Sequence, residues 1–380
     1  MSQTKVEAPF VANNFAHFKN LVINGDFRIF QRASGSTAIG NGTYSTADRF
    51  KTQFSNDGAG TTQQHTLSDA DRATTGHSFA WQWDVGTADT SLAAGQLAYF
   101  RHFIEAQNCS GLAYGSSAAK TLTLSFWVKS SKTGTYCCTI QKDDSTKYQL
   151  PLEYTISSAD TWEHKTLVVS PTAGSTSLIT GSAGDIAQDN GKGITLYWWL
   201  AAGSDYTGGT NNTWSSNTNH LATTNQVNWL DSTSNDWFIT GIQFEIGDQA
   251  TDFEHLPFDV QFQRCERYFQ VIARVADDTS SDLHYIATGA LYKSNHVLGV
   301  AHFQTVMRAA PTITITSGSN YYAFSRNTSA DYFDDLIGYG RSPRNCLIYQ
   351  ESSNISGTVG HGGSMWCNNA SASITADSEL

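Results

Sequence analysis

Five aromatic residues stand where sugar chemistry could be done. Trp127, Tyr197 and Trp199 occupy outward positions of alternating segments, and Trp214 and Trp229 lie in a long polar stretch between Ala201 and Asp236. A sugar ring presents C–H faces that stack on indole and phenol rings, with Asn, Asp and Gln as hydrogen-bonding partners. The competing reading of any one ring is packing in a core or at an interface between copies. As a group, the five predict an exposed platform for glycan.

Other chemistries are thinly represented. Glu105, Glu153, Glu163 and Glu245 fall on or near strand-like segments. A glycosidase pair needs two carboxyl groups roughly 5–10 Å apart, a spacing that sequence does not reveal; the competing reading is four wet-face or edge positions. There is no H-E-x-x-H and no G-x-S-x-G. Gly191-Lys192-Gly193 lacks the Ser or Thr that a phosphate loop places after its lysine, and His361-Gly362-Gly363-Ser364 reads as a glycine-rich turn. No enzymatic activity is expected. The eleven histidines are dispersed without an H-x-H pair, and strand histidines such as His296 and His302 read as polar-face residues. Oxygen donors dominate, so calcium suits the chain better than zinc. The six cysteines form no C-x-x-C pair, and Cys137 and Cys138 are adjacent, which predicts free thiols and assembly in a reducing cytoplasm.

These residues need a scaffold, and the composition suggests which kind. The 380 residues are 39% hydrophobic, 12% aromatic and only 15% charged, with a formal net charge of −11. Such a chain has enough to bury and no basic stripe, so nucleic acid is not an expected partner. No run approaches the ~20 apolar residues of a membrane helix, and the first twenty residues lack a signal-peptide core.

Period-two alternation is clear at GHSFAWQWDV (76–85), KTLTLSFWVK (120–129), GITLYWWLA (193–201) and WFITGIQFEIG (237–247). Phe79, Trp81, Trp83 and Val85 share one face; Leu122, Leu124, Phe126 and Val128 share another. Half-buried strands separated by polar turns predict an all-β, antiparallel sandwich. NLVINGDFRIFQR (20–32) reads as a first strand bent at Gly25. The 36-residue polar stretch before Trp237 is long for a loop, and its two tryptophans argue for order.

One segment breaks the pattern. After Pro257, an N-cap at Asp259 and the spacing of Phe262, Cys265 and Phe269 predict a short amphipathic helix, too short to stand alone. It is expected to link a jelly-roll β-sandwich over 21–257 to a smaller C-terminal β-domain within 258–380, where YFQVIARV, LHYIATGALY, HVLGVAHFQTV and PTITITSG again read as strands.

Several stretches together resemble bacteriophage tail fibre and virion appendage proteins. These are the N-G-D-F opening at Asn20–Arg32, Thr46–Phe50, Gly241–Gln270, Phe303–Thr316 and the closing ITADSEL. The resemblance implies a jelly roll like that of carbohydrate-binding modules, in a virion structural protein that forms a homotrimer. Residues 1–20 would then attach to other virion proteins, and the remainder would meet host-surface polysaccharide. It also implies a candidate structural calcium near the first and last strands, where Asp26 and Glu245 stand. The alternative is a glycan-degrading tailspike enzyme; the long repeats of a β-helix that would favour it are missing.

Overall fold

The computed structural model describes residues 19–277 and 284–380. Nearly all of the attachment segment expected over 1–20 lies outside those residues.

Eleven strands make the first lobe. They are β1 (Thr37–Ala38), β2 (Phe50–Ser55), β3 (Ala59–Thr66), β4 (Phe79–Thr87), β5 (Leu97–Glu105), β6 (Leu122–Ser130), β7 (Gly134–Lys142), β8 (Tyr148–Ile156), β9 (Glu163–Val169), β10 (Lys192–Ala202) and β11 (Asp236–Ile246). A one-face helix, α1 (Asp69–Thr75), precedes β4 and is capped by the Ser68 side chain. One sheet runs β1-β3-β4-β11-β6-β9 and the other β2-β5-β10-β7-β8, with antiparallel pairing throughout. From β3 onward the chain repeatedly crosses between the sheets. This is the wrapping of a jelly-roll sandwich, and it confirms the all-β expectation.

The alternating rows meet inside. Trp81, Trp83, Phe100, Trp198 and Trp237 are fully buried, and the Phe100 and Trp198 rings stack at 5.0 Å and 9°. Rings of this size bury 150–250 Å² each, so a few of them dominate the core's energy. Cys138 joins this core, whereas Cys137 faces the other side of its sheet; all six cysteines are free and buried.

The segment 20–32 is not the strand that its alternation predicts. Its polar side chains bind backbone groups in place of a ladder: Asn20 Oδ1 accepts from Val22 N and Phe244 N, and Asn24 Oδ1 accepts from Ile29 N. Asn24 and Phe27 adopt left-handed backbone angles. The segment lies buried along β11, where Leu21 N donates to Phe244 O and Ile242 N donates to Gly25 O. Strand β11 gives way at that place through a bulge between Thr240 and Gln243, with Gly241 at φ +63°.

The second helix, α2 (Phe258–Glu266), forms as expected but differs in detail. Pro257, not Asp259, holds the N-cap position and supplies no side-chain cap; Asp259 sits in the first turn, where the helix dipole favours its charge. The helix buries Gln261, Cys265 and Glu266. Phe262 is half-buried, and Phe269 lies beyond the helix as the first residue of a strand. Cys265 packs with Ile23, Ile29 and Tyr268, with Phe262 and Leu380 against them.

Ten strands follow: β12 (Phe269–Arg274), β13 (His284–Lys293), β14 (His296–His302), β15 (Thr312–Ile315), β16 (Tyr322–Arg326), β17 (Ser329–Phe333), β18 (Ile337–Tyr339), β19 (Asn345–Glu351), β20 (Gly362–Cys367) and β21 (Ser373–Asp377). They form a three-stranded sheet, β12-β21-β15, and a seven-stranded sheet, β17-β16-β20-β13-β14-β19-β18, around a separate core that includes Phe324, Ile348 and Met365.

Buried charges fasten the two sets of sheets. Arg49, with no exposed surface and φ +73°, pairs with Glu379 just beyond β21. Its guanidinium lies 3.4 Å from the Tyr268 ring centroid and donates to Phe103 O. Glu105, equally buried, accepts from Arg267 Nε at 2.9 Å and Nη2 at 2.6 Å, and from Tyr268 Oη at 2.8 Å. Removing one partner of such a pair strands the other charge. Arg49→Met is therefore expected to cost about 3–5 kcal/mol in urea unfolding, and adding Glu379→Gln should recover part of that loss. A cost below about 1 kcal/mol would show that the pair does not hold the joint.

The bulge gives a second expectation. A Cβ on Gly241 would lie 2.3 Å from His77 Nε2, on a backbone that L-residues reach only with strain. Gly241→Ala should destabilise by about 1–3 kcal/mol in the same measurement; an unchanged unfolding midpoint would refute the close approach.

Candidate functional site

Of the five aromatic candidates, one stays at an open surface. Trp127 projects from the outer face of β6, opposite His164 of β9 and Thr240 of β11. Leucines and Phe126 at the neighbouring positions go to the core, so the pleat itself sends Trp127 outward. Its ring lies 5.0 Å from that of His164 and is half-buried against Trp162 and Phe238. The indole N–H finds no acceptor among the described residues.

Trp127 lines a groove of about 520 Å³ on the six-stranded sheet. One wall is the end of α1 and the turn after it, with Thr75 and His77; the other is the segment Ala250–His255 on its way to α2. The β11 bulge creates the room, since Gly241 lets the His77 ring settle against the backbone. Phe253 meets His77 edge-on at 4.6 Å, and His255 lies 5.3 Å from His77. His77 is buried and its Nδ1 has no partner; burial holds its pKa down at about 3, so the ring is neutral at physiological pH. Burial also lowers the pKa of His164. The groove thus offers an aromatic platform, a second ring at Phe253, neutral His77, and Asp252, His164 and His255 as polar groups. That set suits a neutral polyhydroxylated ring.

The other four rings are placed differently. Tyr197 and Trp199 do stand on the outer face of β10, but the face is not wet there. The long stretch from Gly203 folds over it, burying both rings with Leu97, Tyr99, Cys137 and Ala222, while Tyr206 and Leu221 pack on top. Trp199 Nε1 donates to Thr139 Oγ1. Trp214 and Trp229 are buried in the main core, with their N–H groups bonded to Ser170 O and Asp236 O. The order expected of this stretch is present; exposed rings within it are not. Tyr197 alone still reaches the edge of a small pocket.

Asp26 and Glu245 do not make a cation cage. Asp26 Oδ2 lies 2.6 Å from Arg28 Nε, whose positive charge opposes a metal ion. Burial raises the Asp26 pKa, which Arg28 partly offsets. Glu245 accepts from Thr251 N and Oγ1 and from Gln243 Nε2, so its oxygens are engaged in holding the groove wall. Among the described residues no group of three or more His, Cys, Asp or Glu converges on a metal position.

The remaining carboxylates are similarly engaged. Glu105 serves the joint, Glu153 accepts from Thr223 and Asn225, and Glu163 pairs with Lys165 at 2.6 Å. Sequence reasoning missed His77, Phe253 and His255. Gly241 inside an otherwise regular strand was the available signal, because a lone glycine there marks a bulge or a close backbone approach.

No family model matches the chain, and no curated protein matches it. Solved structures do. A candidate sugar-binding protein from Bacteroides thetaiotaomicron is 12% identical, over 60% of this chain and 100% of that one, at a TM-score of 0.33. The family 11 carbohydrate-binding module from Clostridium thermocellum, in complex with a β-1,3-1,4-mixed-linked tetrasaccharide, is 9% identical over 58% and 99%, at 0.27. The enzymatically active domain of tailspike protein 4 from bacteriophage CBA120 is 14% identical over 60% of this chain and 21% of that one, also at 0.27. With TM-scores this low, the likenesses carry no weight in assigning a ligand.

Proposed function

We propose that this chain is a glycan-binding structural protein of a bacteriophage virion, a fibre or appendage that adsorbs to host-surface polysaccharide without cleaving it. The observation that carries the binding reading is Trp127: a half-exposed indole with an unused N–H, set in a groove with other rings and polar groups. The virion assignment is supported by the order of fibre-like motifs along the sequence. In that setting the chain is a homotrimer, assembled in the host cytoplasm and anchored to other virion proteins through its first twenty residues.

A broad apolar face favours self-association. On the outer side of the seven-stranded sheet, Val300, Leu347 and Tyr339 lie in one cross-strand row, and each is more than a third exposed. Ile337 and Tyr349 lie in the next row, and the Tyr339 and Tyr349 rings stack at 5.8 Å. Contiguous apolar surface of this kind marks an interaction site on a soluble protein.

Two measurements test the reading. On a neutral-glycan array the protein should bind a defined set of sugars, Trp127→Ala should bind them at least about tenfold more weakly, and no reducing ends should be released from the bound polysaccharide. Binding that is indifferent to Trp127 removes the groove from the account, and sugar release makes the protein an enzyme. In sedimentation equilibrium at micromolar concentration the mass should be three times the 41.4 kDa of the chain; a monomer excludes the trimer.

A further inference from the structure

The other outer face of the sandwich carries a different chemistry. Register across β2, β5, β10 and β7 lines up Lys51, Arg101, Tyr197 and Thr139 in one row. The next row holds Phe103, Thr195 and Gln141. Lys192, at the start of β10, reaches back so that its Nζ lies 4.1 Å from the Phe103 ring centroid. The Arg101 guanidinium lies 5.0 Å from that same centroid and 5.9 Å from that of Tyr197. The two cations are therefore no farther apart than their two distances to Phe103 combined. Lys147 lines the same pocket, which has a volume of about 330 Å³.

In a chain of net charge −11, none of Lys51, Arg101, Lys147 and Lys192 forms an ion pair among the described residues. Arg101 Nε is buried without an acceptor. Asp143 and Asp144 line the same pocket, and Lys147 and Lys192 act on the Asp143 carboxyl, but no ion pair forms with either among the described residues. Asp143 takes hydrogen bonds from Thr195 and Gln141, and burial raises its pKa; Asp144 accepts from Ala187 N. Glu379 and Asp377 reach Lys51 only as a weak counterweight to burial and to Arg101, which together lower its pKa. Burial and the charges of Arg101, Lys51 and Lys147 likewise outweigh Asp143 at Lys192. Like charges held this close repel one another, and an uncharged row of the same shape would avoid the cost.

We infer that this cationic patch is a second glycan site, selective for acidic polysaccharide, in which Arg101 and Lys192, lying over the buried Phe103 ring, flank a carboxylate or sulfate and Lys51 and Lys147 attract the anionic chain. A guanidinium suits a planar oxyanion, and the buried Phe103 ring beneath holds the two cations side by side. Nucleic acid fits poorly, because the cations occupy one short row in an acidic molecule and duplex binding draws on many phosphate contacts. The inference rests on the reading of the protein as a glycan binder, although not on the Trp127 groove.

Native affinity gels test it with the full-length chain. Polygalacturonate, its methyl-esterified form, dextran sulfate and a DNA duplex serve as probes. Retardation by polygalacturonate or by dextran sulfate is expected, and which of the two acts identifies the anion. Esterification and added salt should abolish retardation by polygalacturonate. The R101Q/K192Q variant, with its melting temperature measured alongside, should bind the acidic polymer at least tenfold more weakly. Lys51→Gln provides a second variant, with a smaller loss, should the double substitution lower the melting temperature. Equal retardation by the ester, undiminished binding by a folded variant, no retardation by either acidic polysaccharide, or stronger retardation by the duplex overturns the inference. If neutral sugars bind through Trp127 while acidic polymers do not bind, the second site fails and the glycan-binding reading stands.

Discussion

A guanidinium with no exposed surface has to be answered, and the way Arg49 is answered organises the molecule. Its partner Glu379 comes from just beyond β21, and the ring beneath it, Tyr268, comes from the exit of α2. Glu105 poses the same problem with the opposite sign and is answered by Arg267 and by the same Tyr268. The sandwich therefore presents two buried charges whose complements lie on the helix exit and just after β21. Taking either charge out of water costs several kcal/mol unless its partners arrive in good geometry. A docking that leaves them unmatched is excluded by that cost, which is a stronger constraint than apolar contact between the lobes would impose. The short helix is held as much by these bonds as by the greasy contacts of Cys265.

Alternation in the sequence made the inner rows of the sandwich legible. Trp81, Trp83, Leu124, Phe126 and Trp198 are in the core because a pleated strand with one greasy side has nowhere else to put them. Parity alone was weaker on the outward side. It says which way a side chain points and nothing about what later covers it. Tyr197 and Trp199 point outward and are dry, because a polar-looking stretch returns across them and brings Tyr206, Leu221 and Ala222. The alternation of residues 20–32 misled for a related reason. Asn20 and Asn24 offer side-chain oxygens to the backbone, and those local bonds compete with a strand ladder.

Groups drawn from distant parts of the chain were the least legible. Lys51, Arg101, Lys147 and Lys192 are separated by about fifty residues each, and they come together only through strand register and the pocket rim. A search for a basic run finds nothing, although the folded surface has a cationic row. The Trp127 groove is assembled in the same way. One ring comes from β6, one imidazole from the turn before β4, and Phe253 and His255 from the approach to α2. Only Trp127 could be singled out beforehand, since its position in a strand decided its direction.

The groove and the joint share one segment of backbone. Residues 250–255 form a wall of the groove, and the chain then runs through Leu256 and Pro257 into α2. Thr251 is held by Glu245, the Glu254 amide by Gln243 Oε1 at 2.8 Å, and the Leu256 carbonyl by Arg28 at 2.8 Å. The Glu254 carboxylate in turn accepts from the amides of Lys19 and Asn20. The polar residues of β11 that face this segment are thus engaged in fixing it, which gives Gln243 and Glu245 a reason to be buried. A wall fastened at both ends holds Phe253 against His77 before any ligand arrives. Such preorganisation spares a ligand the entropy of ordering its own site. The bulge at Gly241, the bonds of Glu245 and the charges at Arg49 and Glu105 then act in series: the charges seat the helix, the helix sets the wall, and the wall closes the groove in front of Trp127.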